Sequence, residues 1–215
     1  MEIIYAIPGL GTTKELFQNI SIQNYEIKVL NWPEPKKEYT LKDYATKFIE
    51  QIDVSSPVNL MGVSFGGMLC SEIAEQIQTK KVILISSCRD NSEFPLLLKT
   101  LRIFPVHKLF SDKMIRSLAR SKRRLIGFKR SFDRLFFEMI NQMPENYFPI
   151  CINYIVQWDR KTSNGNFIRI HGTADWLLPY KKSSNFHLIP QGSHIMIVSR
   201  PNDINKILNK ELNGL

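Results

Sequence analysis

The sequence predicts an α/β protein: a doubly wound, mostly parallel six-stranded sheet with a helical segment inserted late in the chain. Three observations carry that prediction. Short runs rich in Ile, Val, Leu and aromatics fall at 2–7, 25–31, 57–62, 81–86, 166–170 and 185–189, and they have the near-continuous apolar character of strands buried on both faces. Helix-like stretches at 13–20, 41–52 and 65–79 alternate with the first four runs, as crossover helices do in a parallel sheet. The alternation then lapses, and no strand-like run occurs between 89 and 158.

Taken in order, the first run, EIIYAI, ends in the turn-forming PGLG. The second interleaves Glu26 and Lys28 with apolar residues and is followed by Pro33 and Pro35, a pattern suited to a sheet edge. The third and fourth runs flank the helix-like 65–79 stretch. From 89 to 158 the helical pattern is punctuated by Pro95, Pro105, Gly127, Pro144 and Pro149, and Ser111-Asp112 reads as a helix start. Strand-like sequence returns at Asn166, and 195–212 closes the chain as a helix with Pro201 near its beginning. The expected organisation is a core from 1–88, a helical insertion from 89–158, and the rest of the core from 159–215.

Composition narrows the class. A chain of 215 residues with 43% hydrophobic and 23% charged content can bury one sizeable core, which excludes disorder over most of its length. Cys70, Cys88 and Cys151 form no C-x-x-C pair and are odd in number, as expected of reduced thiols rather than a disulfide framework. The N-terminus lacks a basic segment and cleavage site, and no apolar run is long enough to span a bilayer, so a soluble cytoplasmic protein is expected. The net charge of +9 is concentrated: 89–134 holds 13 basic and 4 acidic residues, and the remainder of the chain is neutral.

The stretch NLMGVSFGGMLC places Gly62-Val63-Ser64-Phe65-Gly66, a G-x-S-x-G motif, between a predicted strand and a predicted helix. In that setting the serine sits on a strained turn above the sheet, and small neighbours let strand and helix approach. A serine hydroxyl needs a base to take its proton and an acid to orient that base. For this turn the acid and then the histidine follow in the chain. The fifth strand runs into RIHGTADWLLP with Asp175 in the loop beyond it, and the sixth runs into HLIPQGSHIMIV with His194 before the last helix. All three residues fall at the carboxyl rim of a parallel sheet, where such sheets bind ligands. Asp90, just after the fourth strand, is an alternative acid. His171 is expected to hold the acid loop, and His107 and His187 lack partners at motif spacing. No His/Cys/Asp/Glu spacing suggests a metal, and no cofactor is implied.

GVSFGG, HGTAD and GSH, in this order, together with the first strand leading into IPGLGTT, resemble the α/β-hydrolase superfamily over nearly the whole chain. The resemblance implies a Ser64–His194–Asp175 triad with the backbone N–H groups of Leu10 and Phe65 as oxyanion hole. Pro8-Gly9 stands where the family commonly has His-Gly. Many members carry two further strands ahead of this first one, so strand order 2-1-3-4-5-6 is expected. The insertion corresponds to the family's helical cap, where Phe94, Leu97, Leu98, Phe104, Phe110, Phe132, Phe136, Phe137 and Met139 offer material for an acyl pocket. On a helix starting near Asp112, Lys113, Arg116, Arg120, Arg123 and Arg124 fall on one side and Met114, Ile115 and Leu118 on the other. That basic stripe is a solvated face, a dock for an acidic carrier protein as in the pimeloyl-carrier-protein methyl esterases of the same fold, or a contact to anionic membrane. No nucleic-acid-binding motif is present. The activity implied is hydrolysis of a carboxylic ester or thioester through an acyl-enzyme; the alternative is a non-catalytic binding protein on the same scaffold, or a lipase-like enzyme docking on anionic membrane through its basic cap.

Overall fold

A computed structural model describes residues 1–162, 165–181 and 185–214. Six strands, β1 (Glu2–Ile7), β2 (Tyr25–Val29), β3 (Val58–Val63), β4 (Thr79–Ile85), β5 (Phe167–Gly172) and β6 (His187–Ile189), form one sheet in the order β2-β1-β3-β4-β5-β6. Every pairing is parallel, as the apolar runs predict. β3 is buried along its whole length, whereas the edge strand β2 alternates half-buried and exposed residues. The chain moves outward from β1 to β2 and then returns to pair β3 beside β1. Right-handed crossovers therefore put the β1–β2 connection on one face and the next helices on the other. This reversal leaves a crevice at the carboxyl ends of β1 and β3.

α1 (Leu41–Ile49) and α2 (Phe65–Ala74) pack against each other, with α2 over β1, β3 and β4. α1 starts at a full capping box, in which Thr40 and Asp43 satisfy each other's backbone N–H groups. At the other face, Asn205, Asn209 and Asn213 of α8 (Pro201–Asn213) form side-chain hydrogen bonds to the backbone between Asn19 and Gln23. The helix expected at 13–20 is only a 3-10 turn, Lys14–Phe17, because one turn already delivers Leu16 and Phe17 into the core. The predicted 65–79 helix ends at Ala74, since Thr79 already pairs with Val58 in the sheet. The closing helix is two helices, α7 (Met196–Ser199) and α8. Pro201 takes the first position of α8, where its missing N–H costs nothing, and it bars the residue before it from helical geometry.

Between β4 and β5 lie α3 (Leu96–Ile103), α4 (Asp112–Lys122), α5 (Asp133–Asn141) and α6 (Tyr147–Gln157), with no strand among the described residues there. Ser111 caps α4 by accepting from the Met114 N–H, as its sequence predicts. α6 carries the group: α3, α4 and the 3-10 turn Val106–Leu109 all pack on it. Its own anchors reach the core. Tyr154 Oη accepts from the Lys36 N–H, and just beyond the end of α6 Trp158 Nε1 and Arg160 Nε donate, at 2.6 Å and 2.7 Å, to the buried Glu72 carboxylate of α2. Beneath these, Trp32 stacks on Phe65 with centroids 5.7 Å apart and meets Tyr147 edge-on at 5.5 Å. Phe65 is thus clamped at the start of α2, directly after Ser64.

Candidate active site

Ser64 occupies the junction of β3 and α2 with φ 53° and ψ −119°, a conformation an L-residue holds only when its surroundings enforce it. The enforcement is visible. Ser64 N–H donates to Ile85 O at 3.0 Å, its own carbonyl accepts from Gly67 N–H at 2.9 Å and from Ser87 Oγ at 2.6 Å, and both sides of the turn are crowded by backbone. A Cβ on Gly62 would collide with the Gly66 backbone, and one on Gly66 with the carbonyls of Ile7 and Pro8. Glycine at these two positions is what lets β1, β3 and α2 converge.

The loop after β5 brings Asp175 to the same rim. Oδ1 accepts from the N–H groups of Leu177 (3.1 Å) and Leu178 (3.0 Å), which aims Oδ2 at His194. His194 follows β6 through the turn at Gly192, whose carbonyl accepts from Ala174 N–H, so the acid loop and the histidine loop are tied together. His194 Nδ1 stands 2.8 Å from Asp175 Oδ2, and Nε2 stands 2.9 Å from Ser64 Oγ. The consistent proton placement has Nδ1–H donating to the carboxylate and Ser64 Oγ–H donating to Nε2. Burial alone would raise the Asp175 pKa. Hydrogen bonds from His171 and His194 and the Leu178 N–H outweigh it and hold the carboxyl well below the usual carboxylate range. Asp90, the alternative acid, instead accepts from Ser92 N–H at 3.0 Å and from Arg89 Nε at 3.2 Å.

His171 is buried, and its Nε2–H donates to Leu178 O at 2.7 Å while lying 3.3 Å from Asp175 Oδ2. It braces the acid loop from both ends. His107 is buried beside Asn153, and His187 sits 3.5 Å from Glu211; neither approaches the serine. Leu10 and Phe65 lie at the crevice between β1 and β3, and among the described residues neither N–H has a protein acceptor. The loop holding Leu10 is closed by Thr12, whose N–H and Oγ1 both donate to Gly9 O. Cys70, Cys88 and Cys151 are free and buried, and burial pushes their thiols well up, so none is a ready nucleophile. Among the described residues no group of three or more His, Cys, Asp or Glu is placed to hold a metal.

Ser64 and His194 open into a cavity of about 300 Å³ whose walls are almost wholly apolar. Of the residues expected to supply an acyl pocket, Leu97, Leu98 and Phe136 line it. Phe94 packs instead against Trp158, Met139 is in the core, and Phe104 is exposed. The inner wall comes largely from residues the sequence did not single out: Phe128, Ile140 and, on α6, Phe148, Ile152 and Ile155. Their helical spacing on α6 was legible, but not which side faced the serine. Ser87 was missed for a similar reason, because its role is to a carbonyl 23 positions away.

The basic stripe is largely engaged within the cap. Arg116 bonds Asp112 and the carbonyls of Ile140, Met143 and Pro144 at the end of α5. Arg123 and Arg124 both clamp Asp133, and Arg120 reaches Asn141. Ile115 faces the cavity, whereas Met114 and Leu118 of the same helix are half exposed. The helical wheel separated polar from apolar side chains correctly but could not show that α5 and α6 lie against the arginine side.

No family model matches the chain, and no curated protein matches it in sequence. Solved structures do. A carboxylesterase structure from the thaumarchaeon Nitrososphaera gargenis matches with TM-score 0.77 and 13% identity, over 99% of this chain and 90% of that one. A thermophilic esterase from Thermogutta terrifontis gives 0.72 and 14%, over 100% and 90%. The NocB thioesterase domain, solved as a covalent complex with a fluorophosphonate nocardicin G analogue, gives 0.66 and 14%, over 100% and 96%. Likeness in backbone at such low identity speaks to architecture: this chain has the α/β-hydrolase fold.

Proposed function

We propose that the protein is a serine hydrolase that cleaves a carboxylic ester or thioester of an apolar acyl group. The observation that carries this reading is the continuous Ser64–His194–Asp175 hydrogen-bond chain opening onto an apolar cavity. In the mechanism this supports, Ser64 Oγ attacks the acyl carbonyl while its proton passes to His194 Nε2. Asp175 keeps Nδ1 protonated and stabilises the imidazolium. The N–H groups of Leu10 and Phe65 receive the oxyanion, a contribution worth several kcal/mol in comparable sites (about 3–4 per donor). His194 then protonates the departing alcohol or thiol, and water repeats the sequence on the acyl-enzyme.

The cavity favours acyl groups without charge, since among the described residues no Lys, Arg, Asp or Glu lines it. Its volume falls at the small end of ligand pockets. An acyl-carrier-protein-bound substrate, such as a pimeloyl-carrier-protein methyl ester, is the finer reading. Arg116, Arg123 and Arg124 are occupied, so an acidic carrier would have to meet Lys113, Arg120 and Lys122, which remain exposed on α4. The test is a series of p-nitrophenyl esters. Each methylene that enters the cavity contributes about 0.8 kcal/mol, so kcat/KM should rise roughly fourfold per carbon until the cavity is full. Ser64→Ala should remove ~10⁴–10⁶ of the activity and all labelling by a fluorophosphonate probe. Hydrolysis that survives Ser64→Ala in folded protein would refute the mechanism.

A further inference from the structure

The outer surface of the cap carries side chains that the catalytic reading does not use. Of sixteen large hydrophobic residues exposed among the described residues, ten lie between Leu96 and Leu125. Leu109 is 80% exposed, Leu96 76%, Ile103 71% and Phe104 68%. Because α3, the 3-10 turn Val106–Leu109 and α4 each pack their inner side on α6, these outward chains share the outside of the cap. The same thirty residues hold nine Lys or Arg and one Asp, and that Asp is paired with Arg116. Lys99, Lys108, Lys113 and Lys122 are exposed, and none has an acidic partner among the described residues. Leu97 and Leu177 are both exposed and line the cavity, and Trp176 is exposed beside Asp175, so the mouth of the cavity opens onto this surface.

We infer that this face of the cap docks on anionic lipid bilayers, with Leu96, Ile103, Phe104 and Leu109 inserting among the acyl chains and the lysines meeting lipid phosphates. Protruding aliphatic chains ringed by cations are the physical signature of an interfacial contact. A second copy of the chain is a poor occupant, since two such surfaces would set the exposed Lys99, Lys108, Lys113 and Lys122 of each against those of the other. An acidic protein partner fits less well than lipid. The guanidiniums of Arg116 and Arg123, which would grip carboxylates two-pronged, are turned inward, and the outward cations without an ion-pair partner among the described residues include four lysines, which pair with mobile phosphates as point charges. If the hydrolase reading above holds, an acyl ester could pass from the bilayer into the cavity past Leu97 and Leu177 without crossing water. Docking itself does not depend on that reading.

The test uses full-length Ser64→Ala protein, which leaves vesicles chemically intact, and vesicles of phosphatidylcholine alone or with about 30% phosphatidylglycerol. Binding to the anionic vesicles, weakened by salt and nearly absent on the neutral ones, is expected. Lys99→Glu/Lys108→Glu/Lys113→Glu should lower the partition coefficient on the order of a hundredfold. Leu96→Ser/Phe104→Ser/Leu109→Ser should also lower it at least tenfold. In the Ser64 background, neither triple variant should change hydrolysis of a soluble short ester. Three results would overturn the inference: no binding to anionic vesicles; binding that the serine triple leaves intact, which would make the contact purely ionic; or loss, in these variants, of dimerisation or of binding to an acidic acyl carrier protein when vesicles do not bind. Absence of esterase activity in the parent would instead overturn the hydrolase proposal and leave the vesicle result standing.

Discussion

Asp175→Asn isolates the charge of the candidate acid while preserving its shape. The amide oxygen can keep the two hydrogen bonds from Leu177 and Leu178, which fixes the amide nitrogen where Oδ2 now stands. That nitrogen would face His194 Nδ1 at 2.8 Å, which donates to the native carboxylate, and would lie 3.3 Å from His171 Nε2. Donor would meet donor. His194 relieves the conflict by moving its proton to Nε2, but Nε2 is the atom 2.9 Å from Ser64 Oγ and must be bare to accept. A wrong tautomer of this kind lowers kcat by ~10⁴, about 5.5 kcal/mol of barrier. KM for a short p-nitrophenyl ester should hardly move, because the cavity wall is untouched. Stability should respond to pH in a defined direction. The Asp175 pKa is depressed on folding, so its contribution is present above the ordinary carboxylate range and is lost as pH falls through the folded value. The wild-type advantage over the variant should therefore be full at neutral pH and shrink in strong acid. Initial rates, circular dichroism and melting curves on both proteins provide the assay. A kcat within tenfold of wild type, in folded Asp175→Asn protein, would refute the tautomer argument. Asp90→Asn is the control and should stay within a few-fold, since that carboxylate serves the Ser92 turn.

The other predictions are shorter. A histidine base acts only when neutral, so kcat/KM should fall on acidification while the depressed Asp175 stays ionised; a flat profile from about pH 5 to 8 would count against a histidine base. Ala119 lines the cavity from α4, and Ala119→Phe should cut kcat/KM for octanoate far more than for acetate, with equal losses on both indicating a damaged cap. Arg116→Met would leave the Ile140, Met143 and Pro144 carbonyls without their cationic donor and Asp112 without its partner. Calorimetry should show about 3 kcal/mol of destabilisation, a fall in Tm of ~6–12 °C, and a loss under ~0.5 kcal/mol would show that water replaces the guanidinium.

The strand runs and the G-x-S-x-G turn were legible because their signals are local. A strand buried on both faces must be apolar along its length, and a turn as tight as that around Ser64 demands glycine at Gly62 and Gly66. The placement of Ser64, Asp175 and His194 at one rim was readable because a parallel sheet brings every strand's carboxyl end to the same side. Element ends were less so: Pro201 split the last helix, and pairing with Val58 drew Thr79 out of α2. What only the tertiary structure decided was which side of each cap helix faces what. A helical wheel divides α4 into basic and apolar sides, but Arg116 turns toward the carbonyls ending α5, whereas Met114 and Leu118 stay in solvent. The choice depends on the carbonyls left without donors at the end of α5 and on the surface offered by α6. Those groups lie more than twenty residues from Arg116 in the chain, and only packing brings them within hydrogen-bond reach.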